Sequence, residues 1–273
     1  MNQKNRITIA EHTLEVLNAG KYTSPSGNQI DISSQIANAV GNTKLYTPDV
    51  LEELAEIIPA PKFETTFEVE NITTLDAVRM LAAKGETNTM ALNFASAKNA
   101  GGGFLGGAQA QEESIARASA LYPCLQQAPE YYSFHRNNRT HLYSDHMIYS
   151  PDVPVFKDEE GNLMETPVCT TVITSAAVNK GAIENNERES LPDILPLMKI
   201  RIDKMLALCV KHQHQVLILG AWGCGVFRNE PDDIAQLFKE ALHGKYAGQF
   251  RKVLFAVKTN NEAVIEPFRK RFS

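Results

Sequence analysis

The sequence predicts an α/β fold in which helices cover both faces of a sheet. Three observations carry this. Short apolar, β-branched runs alternate along the chain with longer segments of helical periodicity. The strongest of these runs, such as residues 168–176, are rich in β-branched and apolar residues, as strands covered on both faces are. Two runs, residues 89–95 and 216–219, lead directly into glycine-rich turns. Those turns then lie outside the carboxyl ends of strands, where open α/β sheets bind ligands.

Taken in order, Ile7, Ala10, Leu14 and Leu17 recur at helical spacing, and Gly20 can end that helix. Thr47-Pro48-Asp49 reads as an N-cap followed by proline at the first helical position. It opens a helix through Ile58, stopped by Pro59 and Pro61. Residues 65–69 alternate as a strand, and 74–84 form a helix ended by Gly85. The buried strand 89–95 delivers the chain to the first glycine loop, and a helix from about Gln111 to Leu121 follows. Residues 129–145, rich in aromatics, Arg and Asn, have no assignment. Residues 146–149, 153–157 and 163 onward read as strands, the last two joined around Asp158-Glu159-Glu160-Gly161, and 168–176 is a central strand. A long amphipathic helix spans 194–210. Strand 216–219 enters the second turn, Gly220-Ala221-Trp222-Gly223-Cys224-Gly225, and a helix (231–242), a strand (252–258) and a closing helix (261–272) complete the chain.

The 273 residues suffice for one large domain or two small ones. A net charge of −5 argues against duplex nucleic acid as a partner, because phosphate contacts need Lys/Arg clusters. The basic run Arg269-Lys270-Arg271 suits the dipole of a C-terminal helix instead. No apolar run follows the opening Met-Asn-Gln-Lys-Asn-Arg, so no secretory signal is expected, and no segment approaches the length of a membrane span. Cys124, Cys169, Cys209 and Cys224 lie far apart and form no CxxC, as expected for buried or free thiols in a reducing cytoplasm. The histidines show no HExxH. His212 and His214, at a helix end, read as solvated or dipole-favoured, and neither a metal nor a cofactor is expected. A monomer is the default expectation.

The chemistry concentrates in residues 99–113. Asn99-Ala100-Gly101-Gly102-Gly103-Phe104-Leu105-Gly106-Gly107-Ala108-Gln109-Ala110-Gln111-Glu112-Glu113 holds five glycines and then a glutamine with two adjacent carboxylates. Such a turn lets backbone amides approach an anion closely. Neither glycine loop contains a basic residue; Lys98 and Arg117 flank the first and Arg228 follows the second. A phosphate there would rest mainly on amides, which suits a diphosphate that is recognised rather than transferred. Gly101 to Gly106 also satisfies GxGxxG, but five loop residues separate Gly106 from Glu112 and no strand with an acidic end follows the helix, so the dinucleotide reading ranks lower.

Glu112 and Glu113 at a helix start could be simple dipole-favoured acids. Neighbours on a helix differ by about 100°, so the functional arrangement has one reaching a scissile bond and the other fixing a substrate hydroxyl. Phe227 after the second turn is either a core aromatic or a cover for a sugar face. Trp222 reads as packing. Cys224 stands as an alternative nucleophile, but no His or Asp can be assigned to activate it.

Gly101-Gly102-Gly103, seven intervening residues and Gln111-Glu112-Glu113 resemble the GGG…QEE signature of poly(ADP-ribose) glycohydrolases. Leu92-Asn93-Phe94-Ala95, Gly106-Gly107-Ala108-Gln109-Ala110, Leu219 to Phe227 and the opening Thr13 to Tyr22 resemble the bacterial type of that family, so the resemblance covers nearly the whole chain. It implies a macrodomain-like three-layer α/β/α sandwich with a mixed sheet and N- and C-terminal extensions. The whole chain would be one domain, with residues up to about 85 a helical extension packed on the core. It implies an exo-acting enzyme that cleaves the ribose–ribose bond of poly(ADP-ribose) and releases ADP-ribose. Carried over by position, Glu113 would protonate the leaving ribose oxygen and then activate water, while Glu112 would hold ribose hydroxyls. Gly101, Gly102, Gly103 and Gln111 would shape the catalytic loop. Gly223, Cys224, Gly225, Val226 and Phe227 would wrap the diphosphate, with Phe227 against the terminal ribose. An Asn ahead of the glycines would hold the distal ribose; Asn99 and Ser96 compete for this role and Asn99 is preferred. The alternatives are an enzyme removing single ADP-ribose units from protein or nucleic acid, and a non-catalytic ADP-ribose reader, for which neither glutamate is needed.

Overall fold

The computed structural model describes residues 1–57 and 59–272. The chain opens with helix α1 (Gln3–Ala19), a small hairpin of β1 (Lys21–Thr23) and β2 (Gln29–Asp31), helix α2 (Ser33–Asn42), strand β3 (Lys44–Tyr46) and helix α3 (Pro48–Glu56). Strand β4 (Thr66–Glu70), helix α4 (Thr74–Ala83) and strand β5 (Thr89–Phe94) lead to the first glycine loop. Helices α5 (Gln111–Ala118), α6 (Leu121–Leu125) and α7 (Pro129–Asn137) follow, then the long strands β6 (Met147–Lys157) and β7 (Leu163–Ser175). The remainder is α8 (Lys180–Asn186), α9 (Ile194–Lys211), β8 (Val216–Leu219), α10 (Pro231–His243), β9 (Lys252–Ala256) and α11 (Glu262–Phe272).

Seven strands form one mixed sheet in the order β3-β6-β7-β5-β8-β9-β4. β7, β5, β8, β9 and β4 are parallel neighbours, whereas β6 runs antiparallel to both β7 and β3. Side chains alternate across the sheet. Met90, Leu92, Leu217, Leu219, Val253 and Phe255 face a core beneath α9, α10 and α11. Ala91, Val172, Ile218 and Leu254 face a second core shared with α4, α5 and α6. Burial on both faces explains why β5 and β8 read as continuous apolar runs. The predicted three-layer α/β/α sandwich is therefore present.

Several local expectations are corrected. The helix expected over 111–121 breaks at Ser119, which is extended and bridges to Val155. Its hydroxyl donates to Ile115 O at 2.7 Å and accepts from Leu121 N at 3.2 Å, closing one helix and opening the next. The strands expected at 146–149 and 153–157 are one strand, β6, with a register shift between Ser150 and Val153. The unassigned segment 129–145 begins with α7, which has Pro129 at its start. The first 85 residues contribute more than covering helices, since β3 and β4 are the two outer strands of the sheet. Helix α3 ends at Glu56; Ile58, where the sequence placed its end, lies outside the described residues.

His214 is buried and His212 half-buried, both against aromatic rings. His212 stacks on Tyr149 with ring centroids 3.8 Å apart and lies 2.8 Å from Tyr46 Oη, while buried His214 lies 3.0 Å from Tyr149 Oη. Burial pushes both imidazoles down to about 4, so they pack as neutral rings. Trp222 is fully buried, as expected, with its indole N–H donating to Ser175 O at 3.2 Å. Among the described residues no helix is long and apolar enough to cross a membrane, and no cluster of three or more His, Cys, Asp or Glu could hold a metal.

Candidate active site

The first glycine loop leaves the end of β5 and returns at the start of α5. Gln111 joins the two: its Oε1 accepts from Phe94 N at 2.7 Å, and its Nε2 donates to Leu92 O at 2.7 Å and Thr74 Oγ1 at 3.0 Å. Its amide thus satisfies backbone groups that the end of the strand leaves unpaired. The next two residues are set in different environments by the helical step between them. Glu112 is 2 % exposed and points into the fold. Its Oε2 accepts from Ser96 N at 2.6 Å and its Oε1 from Asn93 Nδ2 at 3.3 Å. Glu113 is half-buried, and its Oε1 accepts from Gly103 N at 3.0 Å.

Burial is the largest influence on Glu112, and the neighbouring Glu113 charge adds to it. The hydrogen bonds from Ser96 and Asn93 oppose the shift but do not cancel it, and the carboxyl is pushed up to about 8. Glu112 is therefore protonated at neutral pH, and can donate a hydrogen bond as well as accept one.

Gly102 shows why the glycine run must stand there. Its φ is +60°, and a Cβ at this position would lie 2.2 Å from Glu113 Oε1. The three glycines do not line the cleft. Gly103 N–H is spent on Glu113, and Gly102 N donates to Asn99 O at 3.0 Å. The Gly103 amide is thus engaged by a carboxylate of the same chain and the Gly102 amide by a backbone carbonyl, so neither is free for an external anion.

The second loop has the opposite character. Among the described residues the N–H groups of Gly223, Gly225, Val226 and Phe227 have no hydrogen-bond partner. The turn is stapled from beneath by buried Asn229, whose Nδ2 donates to Val178 O at 2.8 Å and Gly223 O at 3.2 Å. Gly223 has a φ of +75°, and a Cβ there would lie 2.5 Å from that same Nδ2. The result is a rigid turn with unpaired amide donors, which suits a diphosphate.

Both loops open on a single cleft of about 700 Å³. It brings together Asn99, Gln111, Glu112 and Glu113 with residues 223–227. Asn99 is exposed, whereas the Ser96 hydroxyl accepts from Asn99 N at 3.2 Å and is engaged within the loop. Phe227 is half-buried at the rim, while Val226 is 78 % exposed. Burial raises the Cys224 thiol far above its ordinary range, so it is a poor nucleophile at neutral pH.

Sequence reasoning missed three residues of the site. Asn93 sits at the end of β5 and links Glu112 to Thr174 Oγ1, 3.1 Å away. Asn229 staples the second loop. Tyr143 lines the cleft with its ring centroid 5.9 Å from that of Phe227, and has a φ of +57°. It lies in the segment without an assignment, whose one signal was its aromatic content.

Residues 10–158 match the family described as microbial-type PARG, catalytic domain, PARG being poly(ADP-ribose) glycohydrolase. A crystal structure of poly(ADP-ribose) glycohydrolase from Thermomonospora curvata bound to the inhibitor ADP-HPD is similar to the chain at 44 % identity and a TM-score of 0.91. The match covers 98 % of this chain and 99 % of that one. The enzyme of the same name from Deinococcus radiodurans, in complex with ADP-ribose, is similar at 44 % identity and a TM-score of 0.83, covering 86 % and 96 % of the two chains. Among curated proteins no relative matches.

Proposed function

The chain belongs to the microbial-type poly(ADP-ribose) glycohydrolase family, and from that premise we propose that it hydrolyses the ribose–ribose O-glycosidic bond of poly(ADP-ribose), acting from chain ends and releasing ADP-ribose. One observation carries the reading. A half-buried carboxylate, Glu113, opens on the same cleft as a turn with four unpaired amide donors. A diphosphate on that turn brings a sugar next to an acid, which a mere reader of ADP-ribose does not need.

In its acid form Glu113 gives its proton to the leaving ribose oxygen as the bond from the anomeric carbon to that oxygen breaks. Positive charge develops on the reacting ribose, as in other glycoside cleavages. Glu112 and Glu113 come from one loop, so they do not form an opposed pair; the substrate's own diphosphate supplies the compensating negative charge. A water then attacks the anomeric carbon and gives a proton to Glu113, which restores the acid. Glu112 is buried and protonated, so it donates to a hydroxyl of the reacting ribose and holds the ring in register. Asn99 takes the distal ribose. Phe227 covers the terminal ribose, and Gly223 to Val226 carry the diphosphate.

The deciding experiment incubates the protein with labelled poly(ADP-ribose) and, separately, with singly modified protein. Release of ADP-ribose from the polymer alone supports this reading. Release from the modified protein alone would replace it with a mono-ADP-ribosyl hydrolase, and release from neither with a binding module.

Two variants probe the machinery. Gly102→Ala forces Glu113 aside, because the new methyl and the carboxylate compete for one place. A misplacement of this kind costs about 100-fold in rate. The positive φ adds about 1–2 kcal/mol of instability. Steady-state kinetics with a thermal melt would show kcat falling far more than the melt accounts for. Phe227→Ala is expected to raise KM about tenfold with a smaller change in kcat, by loss of the ribose cover. Unchanged kinetics and unchanged ADP-ribose affinity would make Phe227 a packing residue.

A further inference from the structure

The first glycine loop contains no basic residue, yet two arginines from outside it converge on its return limb. Arg6, in α1, donates from Nε to Gly107 O at 2.7 Å. Gln3, one turn earlier, donates from Nε2 to Gly106 O at 2.9 Å. From the other side Arg117, in the last turn of α5, donates from Nη1 to Ala108 O at 2.7 Å and from Nη2 to Gln109 Oε1 at 2.6 Å. Four consecutive residues, 106–109, are thus gripped through their acceptors. Hydrogen bonds from a guanidinium are stronger than neutral ones and fix direction as well as distance.

The grip reaches the reacting group by a short route. Ala108 N donates to Gly103 O at 3.1 Å, and Gly106 N to the same oxygen at 3.0 Å. The N–H of Gly103 then holds Glu113 Oε1. Neither arginine lines the cleft, so neither touches a ligand there. Helix α1 is itself tied down, since buried Lys157 donates from Nζ to Ile9 O at 3.0 Å and to Thr13 Oγ1 at 2.7 Å. The same Thr13 hydroxyl meets the carbonyl of Arg117, joining the two sides of the grip.

We propose that Arg6 and Arg117 are positioning residues for catalysis: from opposite sides they hold residues 106–109, and through Gly103 they set where the Glu113 carboxylate lies. The proposal deepens the glycohydrolase reading and rests on it. It gives the N-terminal helix a part in the reaction, although the helix lies outside the cleft. It also explains a flanking arginine that faces loop carbonyls instead of phosphate.

The test measures kcat, KM for polymer, ADP-ribose affinity by calorimetry and thermal stability in Arg6→Ala, Arg6→Lys and Arg117→Lys. Arg6 is the half-buried member of the pair, so its variants remain informative if substitution of buried Arg117 compromises folding. For Arg6→Ala we expect kcat to fall about tenfold or more, with KM and ADP-ribose affinity within about twofold of the parent. Arg6→Lys, which keeps the charge and a donor but not the planar fork, should recover part of the loss. A kcat for Arg6→Ala within about twofold of the parent would overturn the proposal. So would a loss of kcat matched by an equal loss of ADP-ribose affinity, the mark of general loosening. Failure of the glycohydrolase reading is seen separately, in the parent protein's action on polymer, whereas this proposal is judged by the ratio of variant to parent on whichever ADP-ribosylated substrate is cleaved.

Discussion

Glu113→Gln is expected to lower turnover of poly(ADP-ribose) by about 1,000-fold or more while ADP-ribose still binds. A positioned acid–base group contributes about 100- to 10,000-fold, and here one group serves both halves of the reaction. The amide nearly matches the carboxylate in shape, and its oxygen can keep the hydrogen bond from Gly103 N. The loop should therefore hold its form, and calorimetry should find ADP-ribose affinity within about tenfold of the parent. The variant loses the proton that the leaving oxygen needs and the base that takes it from water. An active Glu113→Gln enzyme would remove this residue from the mechanism, and the cleft would then need another acid.

Glu112→Gln has its largest effect on stability, and the size of that effect depends on pH. The folded-state pKa of Glu112 lies above its ordinary 4.5, at about 8. Between those values the folded protein keeps a proton that the unfolded chain releases. Stability therefore falls as pH rises through this window, and levels off above it. The interval corresponds to at most about 5 kcal/mol. Glutamine cannot ionise, so it removes this loss. Its oxygen can still accept from Ser96 N, and once the Asn93 amide turns over, its nitrogen can donate to Asn93 Oδ1, which has no partner among the described residues. The variant should thus melt close to the parent at pH 5 and several degrees above it at pH 9. A melting difference that stays constant across this range would mean that Glu112 is ionised in the folded protein at neutral pH. Activity should move the other way, with KM rising through loss of a hydrogen bond to the reacting ribose.

The elements that were legible share a physical reason. Strands β5 and β8 are buried on both faces and short, so composition alone marks them. Helices α9 and α10 repeat their apolar positions over several turns. Elements that passed unseen, β1, β2, β3, α2 and α8, are short or weakly patterned and owe their state to neighbours far along the chain. The break at Ser119 belongs to the same class: the helical pattern runs on past it, and the strand holding Val155 captures the backbone there. The site divides likewise. Asn99, Gln111, Glu112, Glu113 and residues 223–227 stood out because they cluster in two short stretches, and the fold sets both stretches on one cleft. Tyr143, Asn229 and the two arginines come singly from other parts of the chain, with no local pattern to mark them.

By itself, the order of residues determined the sandwich, the two loops at strand ends and the pair of acids beside one of them, because periodicity and glycine content act over a few neighbouring peptides. The tertiary structure alone decided which acid is buried and keeps its proton, which turn is left with unpaired amides, and what grips the catalytic loop. Those properties are sums over groups such as Asn93, Ser96, Asn229 and Arg6, which only the folded chain brings within reach of one another.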